Sequence, residues 1–165
     1  MAQPGLNTRV RSLLLLVVSA ILSGIISQIL NRPKSMSSIN KIGVYVFELL
    51  KDAGFSAIQA MFVTAQAAHE TANFTSDVLK NSNNLFGFKF IDHPLEVGEY
   101  RGYGKYANIA DCVTRYRDYY TKKHWPDPFT SVDQFVSSLK ANNYFEAPYA
   151  EYLRGVNYFM KIYFS

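Results

Sequence analysis

The segment AQAAHETANFTSDVLKNSNNLFGFK, residues 65–89, sets one acidic side chain, Glu70, at the end of a small, apolar run and follows it with amides and a glycine. A carboxyl near the C-terminus of a helix faces the negative end of the macrodipole, and partial burial further disfavours its ionised form. Both effects raise its pKa toward neutrality, where a general acid works. The rival reading is a buried structural carboxylate that orders the amides of the NNLFG loop. The neighbouring His69 projects about 100° away from Glu70 on a helix, which favours a surface or packed histidine. His93 and His124 fall in expected loops without ligand spacing, so no metal or cofactor is expected. Cys112, the single cysteine, lies inside the amphipathic pattern NIADCVTRYRDYY; it can form no intrachain disulfide, and a small buried residue fits it better than a nucleophile.

The elements that must position Glu70 can be read from periodicity and punctuation. Ser37 or Ser38 can cap a helix from about Ile39 to Ala53, with Ile42, Val46, Leu49 and Leu50 as its core face and Gly54 as its stop. A second helix is expected from about Ser56 to Thr71. It is almost wholly apolar or small as far as Gln66, the pattern of a helix buried within a domain, and Glu70 falls in its last turn. NSNNLFGFKF, residues 81–90, starts with turn-forming residues, and Gly87 is free to take a conformation that other residues avoid. From there to GEYRGYGKYA, residues 98–107, the aromatics, charges and glycines predict a small antiparallel hairpin or irregular β-lobe. Three more helices are expected, from about Ile109 to Lys122, Val132 to Ala141 and Pro148 to Tyr163, with KKHWPDPF as the loop between the first two. Tyr149, Tyr152, Val156 and Met160 recur at helical spacing, which reads as a core stripe.

At 165 residues, 48% hydrophobic and 15% aromatic, the chain has the size and composition of one globular domain rather than of a disordered segment. The net charge of +4 does not point to nucleic acid. Arg9, Arg11, Arg32 and Lys34 carry the excess, all 13 acidic residues lie at or beyond Glu48, and residues 35–165 are formally neutral. The basic residues flank LLLLVVSAILSGIISQIL, residues 13–30, which contains no charge. As a helix it would span roughly 27 Å, enough for the hydrocarbon core of a bilayer. A cleaved signal peptide fits poorly, because cutting after Val18-Ser19-Ala20 leaves a short apolar run and a strongly apolar new N-terminus; a buried core helix is the other alternative. The expected organisation is therefore a tail (1–12), a transmembrane anchor (13–30), a linker (31–38) and one domain (39–165). Basic residues on the two sides of the anchor nearly balance, so orientation must follow from function.

AQAAHETANFTS followed by NNLFGFK resembles the signature of glycoside hydrolase family 73, bacterial and phage N-acetylglucosaminidases with a lysozyme-like fold. In that family an apolar helix ends in Ala-Gln-x-Ala-x-Glu-[Ser/Thr], and an Asn-Leu-Phe-Gly-[Ile/Val/Met/Phe]-Lys segment follows. The likeness continues in KYANIADCVTRYRDYY, residues 105–120, and in NNYFEAPYAEYL, residues 142–153, which is similar to the family's Gly-Tyr-Ala-Thr-Asp-Pro-x-Tyr-Ala-x-x-Leu stretch with Tyr144 and Tyr149 at its tyrosines. It covers about Ser37 onward. The chain departs from the pattern after Thr71, where Ala72, Asn73 and Phe74 replace a glycine-rich sequence, and at Phe145, Glu146 and Ala147, which stand before Pro148.

The resemblance implies a mainly α, α+β lysozyme-like domain with a small β-hairpin lobe, and a peptidoglycan hydrolase that cuts β-1,4 bonds with Glu70 as catalytic acid. It also implies a second acidic residue in the β-lobe, where Glu99 is the first candidate and Glu96 the alternative; a solvated hairpin explains either equally well. In glycoside hydrolysis the second group activates water, attacks the anomeric carbon or is replaced by the substrate's own acetamido group. Phe74, Phe86, Tyr144 and Tyr149 are then candidate walls for sugar rings, and Asn84 a candidate ligand for hydroxyl or acetamido groups. The rival reading for Asn84, Phe86 and Gly87 is a turn that packs the β-lobe. Muramidase or lytic transglycosylase activity on the same fold, or a non-catalytic peptidoglycan-binding protein, are the alternatives. An anchored hydrolase acts locally, so the domain is expected to face peptidoglycan, in a cell envelope or the membrane of a phage virion.

Overall fold

The computed structural model describes residues 38–123 and 129–165. The expected anchor at residues 13–30, the cap at Ser37 and the loop carrying His124 lie outside them. Among the described residues the order is α1 (Ser38–Asp52), α2 (Ala57–Glu70), α3 (Asp77–Ser82), β1 (Glu96–Tyr100), β2 (Tyr103–Tyr106), α4 (Ile109–Lys122), α5 (Val132–Ala141) and α6 (Tyr149–Phe164). This is a mainly helical α+β domain with a two-stranded antiparallel hairpin. No described helix is long and apolar enough to cross a membrane.

α2 is the central element because its sequence leaves it no polar face. Gln59, Ala60 and every residue from Phe62 to Ala68 are buried. Its start is fixed by a capping box, in which Ser56 Oγ accepts from the Gln59 amide while Gln59 Oε1 accepts from the Ser56 amide. α1 and α6 pack against it, and α5 packs in turn on α6. The core is rich in rings, with Phe62 stacked on Phe135 at 5.8 Å and Phe55 edge-on to Tyr120 at 5.0 Å. The approach of α6 to α2 depends on Gly155, where a Cβ would overlap the His69 ring.

The chain leaves α2 through three consecutive non-glycine residues of positive φ: Ala72 (49°), Asn73 (59°) and Phe74 (61°). Such residues carry strain that surrounding contacts must offset. Thr71 Oγ1 donates to Ala67 O at 2.6 Å and accepts from the Phe74 amide at 3.1 Å, while the Asn73 amide donates to Ala68 O at 2.7 Å. The turn delivers the chain to α3, a six-residue helix capped by Ser76 and ended by Asn83 at φ 53°. Periodicity did not predict this helix, which is too short to show a repeat.

The hairpin joins the helices through side chains. Tyr100 Oη donates to Asp77 Oδ2 at 2.6 Å, Arg101 pairs with the same oxygen at 3.0 Å, and Asn83 Nδ2 donates to Tyr106 O at 2.9 Å. α4 and α5 occupy their expected ranges, and α6 starts one residue later than expected, with Pro148 as its N-cap.

Candidate active site

Glu70 is the last residue of α2 and is half-buried. Its Oε1 accepts from Tyr152 Oη of α6 at 2.5 Å. Its Oε2 lies on the side of Gly87, whose φ is +65° and where a Cβ would stand 3.8 Å from that oxygen. Burial raises the Glu70 pKa above the ordinary carboxylate value, and the Tyr152 hydrogen bond opposes part of that rise. Burial, one of the two causes expected from the sequence, accounts for the rise.

Behind Glu70 lies a floor of tyrosines and one amide. The Tyr152 ring is stacked on Phe145 at 3.7 Å with 3° between planes and meets His69 edge-on at 4.8 Å. Tyr116 Oη, from α4, donates to Gln66 Oε1 at 2.7 Å. Gln66 Nε2 is buried and outside hydrogen-bond geometry of the described acceptors, yet the Gln66 side chain eases ionisation of the Tyr152 hydroxyl. Burial, followed by the Glu70 charge, holds the Tyr144 and Tyr152 hydroxyls well above the usual phenol range, so both stay neutral donors. His69 is a packed histidine whose pKa is lowered by burial and raised in part by Glu151.

The loop that faces Glu70 is built by its own amide. Asn84 is buried, with Nδ2 donating to Phe88 O (2.8 Å) and Gly104 O (2.9 Å) and Oδ1 accepting from the amides of Phe86 (3.3 Å) and Phe88 (3.1 Å). Its amide atoms are engaged within the chain, so the expectation of a sugar ligand gives way to that of a turn that packs the β-lobe. Phe86 is buried too, its ring 4.1 Å from that of Tyr116, and offers no face to a sugar. Phe74 is likewise buried, edge-on to Tyr163 at 5.8 Å, and packs on α6 instead of forming a wall. Tyr144 is partly buried and donates to Phe86 O at 2.8 Å, which brings it to the Glu70 side of the loop. Tyr149 is elsewhere, its hydroxyl bonded to Asp133 Oδ1 at 2.8 Å at the start of α5.

The two candidate second carboxylates both have local work. Glu96 Oε2 accepts from the amides of Ile91 (3.1 Å) and His93 (2.8 Å), closing the loop before β1, and its carboxyl lies over Gly104. Glu99 is exposed and its Oε1 accepts from the Gly102 amide at 2.8 Å across the hairpin turn. Neither is among the groups that act on Glu70's ionisation. Cys112 is buried, with its thiol pushed up to about 12 by burial, and it accepts from the Leu85 amide at 3.3 Å. Tyr152, Gln66 and Tyr116 were missed as site residues; the sequence signal was a polar group at a core position of each helix.

A carboxyl biased toward its protonated form, held at one oxygen and set beside a glycine at the other, can give a proton to a group that reaches the second oxygen. The family model described as Glucosaminidase: Mannosyl-glycoprotein endo-beta-N-acetylglucosaminidase matches residues 49–163. The chain belongs to that family and is a glycoside hydrolase. No curated protein and no solved structure matches it.

Proposed function

We propose that this protein hydrolyses β-1,4 bonds of the peptidoglycan glycan strand on the N-acetylglucosamine side, with Glu70 as general acid on a lysozyme-like domain. The observation that carries the assignment is the raised pKa of a half-buried Glu70 at the helix end, within a glucosaminidase domain whose family implies that substrate. The protonated carboxyl gives its proton to the leaving oxygen while water takes the anomeric carbon. Glu99, with Glu96 as the alternative, would supply the second carboxylate only if substrate drew it from its present hydrogen bond; otherwise the substrate's acetamido group takes that part. Tyr144, which bonds the Phe86 carbonyl and feels the Glu70 charge, is the aromatic candidate for contact with sugar.

The full-length chain and Glu70→Gln, incubated with purified peptidoglycan, test this. Wild type is expected to release fragments whose new reducing end is N-acetylglucosamine by mass spectrometry, and the variant to lose at least about 100-fold in rate. A new N-acetylmuramic acid end would indicate a muramidase, an anhydro end a lytic transglycosylase, and binding without products a wall-binding protein. Residues 13–30 are proposed to anchor the domain in a membrane facing peptidoglycan, where cleavage is local, as in a cell envelope or a membrane-containing virion.

A further inference from the structure

The hydrogen bonds around Glu70 run in one direction. Tyr116 Oη donates to Gln66 Oε1, and Tyr152 Oη donates to Glu70 Oε1. An oxygen that accepts a phenolic hydrogen at 2.5 Å has no room on that line for a proton of its own. Glu70 Oε2 has no hydrogen-bond partner among the described residues, and it stands beside Gly87, where no side chain intervenes.

We propose that Tyr152 is a positioning residue that places the acidic proton of Glu70 on Oε2, and that the glycosidic oxygen is received at that atom, in the space left by Gly87. The inference rests on Glu70 being the general acid. In the step, the O–H bond at Oε2 breaks as its proton passes to the glycosidic oxygen. The electron pair of the bond between anomeric carbon and oxygen leaves with that oxygen, and water supplies hydroxide to the carbon and a proton to solvent. The carboxylate that remains carries its charge toward Oε1, where the Tyr152 hydroxyl already points. The groups facing this carboxyl are Tyr152 from α6, Tyr116 from α4 and Tyr144 from the segment before α6, all neutral, with His69 beside it on α2.

Tyr152→Phe tests the proposal, because it removes the hydroxyl and keeps the ring on Phe145. Peptidoglycan digestion by the full-length chain is followed against pH, with thermal melting alongside. Losing a donor to the carboxylate raises the Glu70 pKa further, so the alkaline limb of the rate profile is expected to move to higher pH. kcat should fall about tenfold, since the proton is no longer confined to one oxygen, with KM nearly unchanged. If Tyr152→Phe melts early, the profiles are compared below its melting temperature, where the folded variant is expected to show the same displaced limb. Wild-type kcat and an unmoved limb in a folded variant would overturn the role of Tyr152 while an inactive Glu70→Gln upheld the acid. An active Glu70→Gln would overturn both.

Discussion

Glu70 has two oxygens in different circumstances, one tied to Tyr152 and one beside Gly87, and the burial they share has a cost that depends on pH. Burial raises its folded pKa above the unfolded value near 4.5. Between the two values the folded state binds more protons than the unfolded state, so stability falls as pH rises through that window and is greatest below it. Glu70→Gln has no such proton to lose. Chemical denaturation from pH 4 to 7 is therefore expected to show wild type losing stability relative to Glu70→Gln as pH rises, and parallel curves would mean that the fold does not perturb Glu70. The place of Glu70 in the last turn of a buried helix was legible in the sequence, since the run before it is apolar or small as far as Gln66. Its partner was not: Tyr152 stood in an apolar stripe with Val156, and the ring does belong to the core, but nothing local shows that its hydroxyl meets a group 82 residues away.

At the scale of elements, the site is the contact between α2 and α6, and Gly155 sets how closely they meet. Gly155→Ala would drive a methyl into the His69 ring one turn from Tyr152. The expected result is a loss of about 1–3 kcal/mol in stability by denaturant titration, with a larger loss of activity than stability explains, because the Glu70 to Tyr152 hydrogen bond spans the same seam. The longer helices were readable because their apolar faces repeat over several turns, as in α4 and α5. α3 was not, having six residues, although Ser76 before Asp77 marks its start. The turn after Thr71 was visible as a departure: the family's glycines suit positive φ, and this chain holds Ala72, Asn73 and Phe74 in that conformation through Thr71 and the burial of Phe74 against Tyr163.

For the whole molecule, the family match over residues 49–163 lies within the domain expected at 39–165, and the charge-free segment at 13–30 lies outside both. The proposed anchor predicts that full-length protein expressed in bacteria stays with membranes through an alkaline carbonate wash and that deleting residues 13–30 releases it. Recovery of the full-length chain in the soluble fraction would remove the anchor from the proposal.

The hydrogen bond between Glu70 and Tyr152 also has a meaning in time. A ribosome makes the acid long before it makes the hydroxyl that orients it, and Tyr116 arrives in between. A nascent or truncated chain that stops short of α6 would carry the whole AQAAHET motif yet have no formed seam around its carboxyl. The carboxyl and the hydroxyl that it meets come together only once the segment through α6 is complete and folded back.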